Sequence, residues 1–148
     1  MSVLPPFTPE GVLPPGCHRA TWSDLIDRFG GSPRRDRLLD GLLRVGQNLR
    51  DAGARVIWLG GSFVTSKSEP DDFDGVWLPR TVNLNVVDPI LLDEVDLRNG
   101  RAKQKAKYGG ELLIGFESNS GQAFQAFLQQ DRDGNLQGIV RLDLRTLP

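Results

Sequence analysis

A long amphipathic helix, followed at once by a short apolar strand, constrains the fold of this chain most. Ser32 and Pro33 are typical of an N-cap and a first helical position, and Gly53 stands where a left-handed residue commonly follows a helix. Between them, apolar residues recur at helical spacing: Leu38, Leu39, Leu42, Leu43, Val45 and Leu49. The run RVIWL at 55–59 predicts a buried strand. A helix with one apolar stripe beside a buried strand needs a sheet to pack against.

The other predicted elements mix helices with strands. Helices are predicted from Thr21 to Phe29, from Asp88 to Leu97, and after Ser120 with apolar residues Ala123, Phe124, Phe127 and Leu128. Further strands are predicted at 73–78, 111–117 and 137–144. Residues 98–107 are predicted to form about one or two helical turns, and 82–87 a strand or an extended connector. We therefore expect an α/β (α+β) fold, with a mixed or antiparallel sheet of about 4–5 strands and helices on one face.

The length of 148 residues predicts a single domain, 1–148, with an N-terminal arm at 1–16. Proline crowds this arm, and because proline restricts φ and lacks an amide donor, we expect an extended segment. Apolar residues in the arm predict that it packs on the domain: Leu4, Phe7, Val12 and Leu13.

Charge and cysteine content exclude several classes of protein. The 19 acidic and 18 basic residues give no overall attraction to nucleic acid or to anionic membranes. The single cysteine, Cys17, cannot form an internal disulfide and fits a reducing compartment. No run approaches the roughly 20 apolar residues that span a bilayer, and the N-terminus lacks the pattern of a secretory signal. We therefore expect a cytoplasmic protein without membrane association.

The stretch GGSFVTSKSEPDDFD at 60–74 contains the candidate phosphate-binding residues. Gly60 and Gly61 allow close approach of a ligand to the backbone, Ser62 offers a hydroxyl, and Lys67 offers a positive charge. A helix beginning within 62–67 would add free amides and a favourable dipole. The alternative is a glycine-rich turn that only closes the preceding strand.

Asp72 and Asp74 in the same stretch are candidate metal ligands. Alternate residues of a strand face the same way, so both carboxylates would lie on one side while Phe73 points into the core. Paired carboxylates repel each other unless a cation joins them, and Mg²⁺ prefers oxygen ligands. The alternative is an acidic surface turn.

Together, these features resemble the nucleotidyltransferase superfamily of the DNA polymerase β type. Leu59-Gly60 precede Gly61-Ser62, and Asp72 and Asp74 occupy the positions of the Asp-x-Asp carboxylates. Most of the chain is also similar to a family of small uncharacterised bacterial proteins that are regarded as nucleotidyltransferase-like. The similarity includes LPPGCHRATWSDLIDRFG at 13–30, GGSFVTSKSEPDDFDGVW at 60–77 and QGIVRLDL at 137–144.

The resemblance implies a set of site residues. Gly61 and Ser62 bind the triphosphate, and Asp72 and Asp74 are the metal ligands and catalytic acids. Gly60 and Lys67 complete the nucleotide-binding residues from their own chemistry, with Lys67 in place of the arginine that such enzymes often carry after Gly-Ser. A third carboxylate on a neighbouring strand is also implied. Glu111 and Glu117 share a face of the predicted strand, and Glu111 is preferred because it opens an apolar strand as Asp72 does.

The resemblance further implies transfer of a nucleoside monophosphate from an NTP, with Mg²⁺, or alternatively Mn²⁺, as the cofactor. The acceptor would be a protein hydroxyl, RNA or a small molecule, in a setting such as toxin–antitoxin or phage-defence systems. The alternative is a non-catalytic nucleotide-sensing or protein-interaction module on the same fold, with a partner protein or as a homo-oligomer. The basic residues of 98–107 would either meet the triphosphate or RNA, or form a solvated face.

Overall fold

A computed structural model describes residues 4–115, 128–130 and 133–148. The five strands of this part are β1 (Cys17–Ala20), β2 (Val56–Gly60), β3 (Phe73–Trp77), β4 (Gly110–Ile114) and β5 (Ile139–Asp143). The helices are α1 (Trp22–Phe29), α2 (Pro33–Asp51), α3 (Glu94–Arg98) and α4 (Ala102–Tyr108), and short 3-10 turns lie at Ser62–Val64, Pro89–Leu92 and Leu144–Thr146.

The strands form one mixed sheet in the order β1-β5-β2-β3-β4. Strand β2 lies in the middle and is antiparallel to both β3 and β5. The outer pairs, β1 with β5 and β3 with β4, are parallel. The predicted α+β class with a mixed sheet and flanking helices is confirmed.

The first two helices begin and end at the predicted signals. The Thr21 hydroxyl accepts a hydrogen bond from the Asp24 amide at 3.2 Å, and the Asp24 carboxylate accepts one from the Thr21 amide at 2.9 Å, which is a capping box. Ser32 caps α2, and Gly53 follows this helix with a φ of 109°. The sequence signals therefore place both helices correctly.

The main core lies between these helices and one face of the sheet. Leu25 and Phe29 of α1 and Leu42 of α2 are buried against strand residues that include Ile57 and Trp77. The opposite face has a smaller described cluster of buried residues: Trp58, Val76, Leu128 and Ile139. Because neighbouring residues of a strand point to opposite faces, the polar residues at alternate positions are left on this second face.

The structure differs from the predicted elements in three places. Strand β1 was not predicted, because only Ala20 of its four residues is buried and the sequence has no alternation of apolar residues there. The helix predicted from Asp88 to Leu97 is interrupted at Asp93, whose carboxylate accepts hydrogen bonds from the amides of Val95 and Asp96 and so starts α3. Residues 82–87 contain turns and no strand.

Other predicted elements differ only in extent. Strand β4 is described at Gly110–Ile114, where 111–117 was predicted, and residues 116–127 lie outside the described part of the chain. The helix predicted after Ser120 and the alternative carboxylate Glu117 therefore also fall outside it, although Leu128 is described and buried. The basic segment forms α4, as predicted, and Gly109 ends it with a φ of 83°.

The proline-rich arm packs on the sheet domain without forming a helix in the described residues 4–16. Leu4 and Leu13 are buried, and the Arg28 guanidinium donates hydrogen bonds to the carbonyls of Leu4 and Pro5 at 2.7 and 2.6 Å. The amide of Ser66 donates to the carbonyl of Gly11 at 2.8 Å. The arm thus borders the loop that follows β2.

Among the described residues, the structure contains no helix with the length and apolar character that crossing a membrane requires.

Candidate functional site

Three carboxylates converge on the face of the sheet opposite the helices. Asp74 and Glu111 are partners in the parallel pairing of β3 with β4, so their side chains share a face. Asp72 lies just before β3, and oxygens of Asp72, Asp74 and Glu111 all lie within 4.8 Å of one another. The structure therefore brings together the three residues that the sequence analysis proposed as catalytic acids.

The glycine pair brings the backbone directly against this cluster. Gly60 ends β2 and pairs with Asp74, and Gly61 turns the chain with a φ of 71° and a ψ of −167°. A Cβ atom on Gly61 would lie 2.4 Å from the Asp74 Oδ2 atom, so a larger residue would collide with the carboxylate. The Gln137 side-chain amide donates to the Gly61 carbonyl at 3.1 Å and holds the turn in place.

Replacing Gly61 by alanine is expected to reduce the free energy of unfolding by about 1–3 kcal/mol and to displace the Asp74 carboxylate, because this backbone conformation strongly favours glycine. The change in stability is measured by urea denaturation, and metal binding by titration with Mn²⁺. Gly134→Ala is the matched control, since Gly134 has a φ of +80° with nothing within 4 Å of an added Cβ. Equal Mn²⁺ affinity in the two variants would contradict the role given to Gly61.

The loop after Gly61 forms a 3-10 turn over Ser62–Val64, and the helix considered for 62–67 is absent. Thr65 is extended, and its hydroxyl donates a hydrogen bond to the Ser62 carbonyl at 2.6 Å. The Lys67 amide in turn donates to the Thr65 hydroxyl at 3.2 Å. The loop is therefore shaped by local hydrogen bonds, and the expected contribution of a helix dipole is lost.

A buried arginine of α2 holds this loop from behind. The Arg35 guanidinium donates hydrogen bonds to the carbonyls of Phe63 at 2.8 Å and Thr65 at 2.7 Å, and also to those of Phe29 and Lys67. The sequence analysis did not select Arg35. The available signal was its position three residues before Leu38, which places an arginine on the apolar stripe of the helix.

The loop and the acids line a cleft of about 760 Å³, which is within the range of small-molecule sites. The predicted residues in its lining are Gly61, Ser62, Lys67, Asp72 and Asp74. Lys105, Gln130 and Gln137 also line it. Lys105 belongs to the basic segment for which contact with a triphosphate was one of two alternatives, and neither glutamine was selected from the sequence as a site residue. Gly60 and Glu111 lie beside the cleft as pairing partners of Asp74 but are not in its lining.

Two cations of the basic segment contact the acidic cluster. The Lys105 Nζ atom lies 3.7 Å from oxygens of both Asp72 and Glu111. Arg101 donates a 2.5 Å hydrogen bond from its Nε to Glu111. Lys103 pairs instead with Asp93, away from the cluster. Of this basic segment, only Arg101 and Lys105 contact the acidic cluster, and they lie one helical turn apart.

The carboxylates share a proton rather than all being ionised. Burial, the hydrogen bond with Glu111 and the charge of Asp72 raise the pKa of Asp74 to about 8, and Lys105 offsets only part of this. Burial acts to raise the pKa of Glu111 as well, but hydrogen bonds from Arg101 and Asp74 hold it below its ordinary value. Asp74 is therefore the protonated partner near neutral pH and Glu111 the ionised one.

The stability of the metal-free protein is expected to fall as the pH rises from about 5 to about 8. In this range the folded state keeps the Asp74 proton that the unfolded state has lost, so raising the pH favours unfolding. Urea denaturation at several pH values measures the slope, and Asp74→Asn removes the contribution of this group. A wild-type profile no steeper than that of Asp74→Asn would contradict the raised pKa.

The cluster has the chemistry of a site for a divalent cation that prefers oxygen ligands. Asp72, Asp74 and Glu111 offer carboxylate oxygens from adjoining strands. Repulsion among the carboxylates contributes to the raised pKa of Asp74. A cation that displaces the Asp74 proton would relieve this repulsion. The residues therefore fit a metal ion, in competition with Lys105.

Comparison with known proteins gives one match. No curated protein and no solved structure matches the chain. The model of a family of unknown function, DUF6932, matches residues 5–143, which include most of the arm, the cleft and every described strand. The chain therefore belongs to the family DUF6932.

Proposed function

We propose that this protein transfers a nucleoside monophosphate from an NTP to an acceptor with the help of Mg²⁺ or Mn²⁺. The observation that carries the proposal is the convergence of Asp72, Asp74 and Glu111 within 4.8 Å, against the sharp backbone turn at Gly61. This arrangement supports a site in which carboxylates hold a cation and a glycine turn receives the phosphates. The resemblance to nucleotidyltransferases is consistent with the same chemistry.

Seven residues in or beside the cleft have a role in this proposal. The backbone at Gly61, the Ser62 hydroxyl and the side chains of Lys67 and Lys105 bind and orient the triphosphate. Asp72, Asp74 and Glu111 would hold the metal. Bound Mg²⁺ supplies neutralisation of the charge on the transferred phosphate and the leaving pyrophosphate.

The reaction forms one bond and breaks one. An acceptor oxygen bonds to the α-phosphorus, the bond from the α-phosphorus to the bridging oxygen breaks, and pyrophosphate leaves with the electron pair. The acceptor proton passes to water or to a carboxylate of the cluster. Because the pKa of Glu111 is held below its ordinary value, Glu111 is better suited to bind a cation than to act as the base.

Labelled nucleotides test this function directly. The full chain is incubated with Mg²⁺ and an NTP labelled at either the α- or the γ-phosphorus, with total cellular RNA, soluble protein and small-molecule extract offered as acceptors. We expect acceptor labelling only from the α position, equimolar pyrophosphate release, and loss of both with EDTA. The absence of pyrophosphate release with every NTP and acceptor, or labelling from the γ position, would overturn the proposal.

A second function, nucleotide sensing without turnover, is favoured by the ion pairs of Glu111. Arg101 and Lys105 already neutralise this carboxylate, and Lys105 also lies 3.7 Å from Asp72. A cleft with resident cations can attract a triphosphate without any metal. Saturable NTP binding in EDTA, without pyrophosphate release when Mg²⁺ is added, supports this second function. As for cellular location, the free cysteine Cys17 is consistent with the cytoplasm.

Replacing Lys105 by glutamine is expected to have opposite effects on metal and nucleotide. Removing a cation beside Asp72 and Glu111 should strengthen Mn²⁺ binding roughly 3–10-fold, while NTP binding weakens by a similar factor. Electron paramagnetic resonance of free Mn²⁺ and calorimetry with NTP measure the two affinities.

Lys103→Gln is the matched control, because Lys103 lies on the same helix and pairs with Asp93 instead. We expect this control to leave both affinities unchanged. Weaker Mn²⁺ binding in Lys105→Gln would show that the lysine does not compete with the metal.

A further inference from the structure

A second hollow adjoins the cleft on the side of the N-terminal arm. Its volume is about 500 Å³, which is within the range of small-molecule sites. Glu10, Val12 and Pro15 of the arm line one part of it, and Leu136 and Gln137 line another. Gln137 also lines the cleft beside the acidic cluster, so the two spaces meet at this residue. We name the second space the arm hollow.

Hydrogen bonds hold the walls of the arm hollow together. The Gly16 amide donates to the Gln129 Oε1 atom at 2.7 Å, and the Gly138 amide donates to the Leu13 carbonyl at 2.8 Å. The backbone amide of Gln137 donates to the Gln129 carbonyl at 2.7 Å. Because these bonds join the arm to the residues beside β5, the hollow is already formed in the free protein, which lowers the cost of binding a ligand there.

Gln137 presents an unpaired hydrogen-bond acceptor where the two spaces meet. Its Nε2 atom donates to the Gly61 carbonyl at 3.1 Å, which fixes the orientation of the side-chain amide. Its Oε1 atom accepts no hydrogen bond from the described residues, and this atom stays within reach of solvent although Gln137 as a whole is only 7 % exposed. A glutamine oxygen accepts hydrogen bonds from hydroxyl and ammonium groups. The fold therefore leaves one polar atom available to a ligand at this junction.

The charge of the arm hollow disfavours a phosphorylated ligand. Glu10 is the only charged residue in the described part of its lining, whereas the cleft has Lys67 and Lys105 among its acids. The Glu10 carboxylate repels anions and attracts cations, although its exposure to solvent weakens both effects. The lining also offers apolar surface, since Leu136 is 57 % exposed and a ligand that covers it removes this surface from water.

We propose that the arm hollow binds the acceptor of the transfer reaction, and that this acceptor is a small hydroxyl compound that is uncharged or positively charged. The inference rests on the proposed nucleotidyl transfer, because it names the second substrate of that site. The Gln137 Oε1 atom accepts a hydrogen bond from the acceptor and so positions the acceptor hydroxyl at the edge of the cleft. RNA would bring phosphates to a hollow without a described cation, and is therefore disfavoured as the acceptor.

Equilibrium dialysis of the full chain in EDTA tests binding without any transfer. The protein is dialysed against a cellular small-molecule extract, and compounds enriched on the protein side are identified by mass spectrometry. We expect at least one enriched compound to carry a hydroxyl group and no phosphate. Leu136→Trp fills the hollow and is expected to lower this enrichment at least about tenfold, and Gln137→Met is expected to lower it about 3–10-fold.

Leu84→Trp is the matched control, because Leu84 is similarly exposed and is not among the described residues that line either space. We expect this control to leave the enrichment unchanged. Gln137→Met also removes the bond to Gly61, so Leu136→Trp, which changes an exposed side chain, provides the decisive comparison. The proposal is overturned by equal enrichment of every phosphate-free hydroxyl compound in Leu136→Trp and Leu84→Trp, or by the absence of any such compound.

The labelled-nucleotide assay distinguishes a failure of this proposal from a failure of the proposed function. With RNA, protein and small molecules offered separately, we expect label in the small-molecule fraction alone. Leu136→Trp is expected to raise the KM for the purified acceptor at least about fivefold and to leave the KM for the NTP unchanged. Label in RNA or protein would overturn the identity of the acceptor and leave the transfer standing. Absence of pyrophosphate release in every fraction would overturn the transfer, and the dialysis would then decide alone whether the hollow binds hydroxyl compounds.

Discussion

Asp74→Asn is expected to lower nucleotidyl transfer by about 10²–10⁴-fold while raising the stability of the metal-free protein near pH 7. The two effects separate because Asp74 must take up a proton on folding at that pH, whereas the amide is neutral in both the folded and the unfolded state. The amide cannot become the anion that a metal requires. Rates of pyrophosphate release and urea denaturation at one pH measure the two quantities.

Asp71→Asn is the control for this prediction. Asp71 also lines the cleft but does not belong to the group of carboxylates that lie within 4.8 Å of one another. We expect it to retain activity to within about threefold, and Asp72→Asn to behave like Asp74→Asn. Asp74→Asn with full transfer activity would exclude this cluster as the reaction centre.

Arg35→Met is expected to have the largest effect on folding, with a loss of about 3–5 kcal/mol in the free energy of unfolding. The change leaves buried carbonyls without donors, notably those of Phe63 and Thr65 in the loop that forms the cleft. It also removes a guanidinium that lies 5.5 Å from the centre of the Phe63 ring. Urea denaturation followed by tryptophan fluorescence measures the loss.

The neighbouring Arg34 provides the comparison. Arg34→Met removes an exposed ion pair with Glu69 at 3.4 Å and is expected to change stability by less than about 0.5 kcal/mol. Arg35→Lys should recover only part of the loss, because a lysine cannot donate to several carbonyls in the fixed fork of a guanidinium. Equal stability of Arg35→Met and Arg34→Met would show that the buried arginine does not support the loop.

Elements with strong local signals were predicted well. Helix α2 has a capping serine, a first-turn proline, an apolar stripe and a terminal glycine, and each signal acts within the segment itself. Strands β2 and β3 were found to within one residue, because their apolar runs are buried in the middle of the sheet. Strand β1 had no such signal, since an edge strand is held by its backbone pairing with β5.

The site was predictable in part. Asp72 and Asp74 are two residues apart, so the spacing of a strand puts both on one face. The antiparallel pairing of β2 with β3, two strands adjacent in the sequence, brings Gly61 beside Asp74. Lys105 and Arg35 reach the cleft and its loop only through tertiary packing, from helices far away in the sequence. The sequence does not show whether a basic residue on a helix faces solvent or an acidic side chain. The contacts of Lys105 and Arg35 could therefore not be predicted from sequence spacing.

The contact between the arm and the loop bears on how the protein is prepared for study. A shortened chain that begins at Cys17 would retain all described strands, so deletion of the proline-rich arm would leave the sheet complete. It would nevertheless delete Val12, which bridges to Thr65, and Gly11, whose carbonyl binds the Ser66 amide. Removing the arm therefore strips one supporting edge from the loop that follows β2, and a truncated sample that folds and crystallises is a poor substitute for the intact chain in tests of the proposed nucleotidyl transfer.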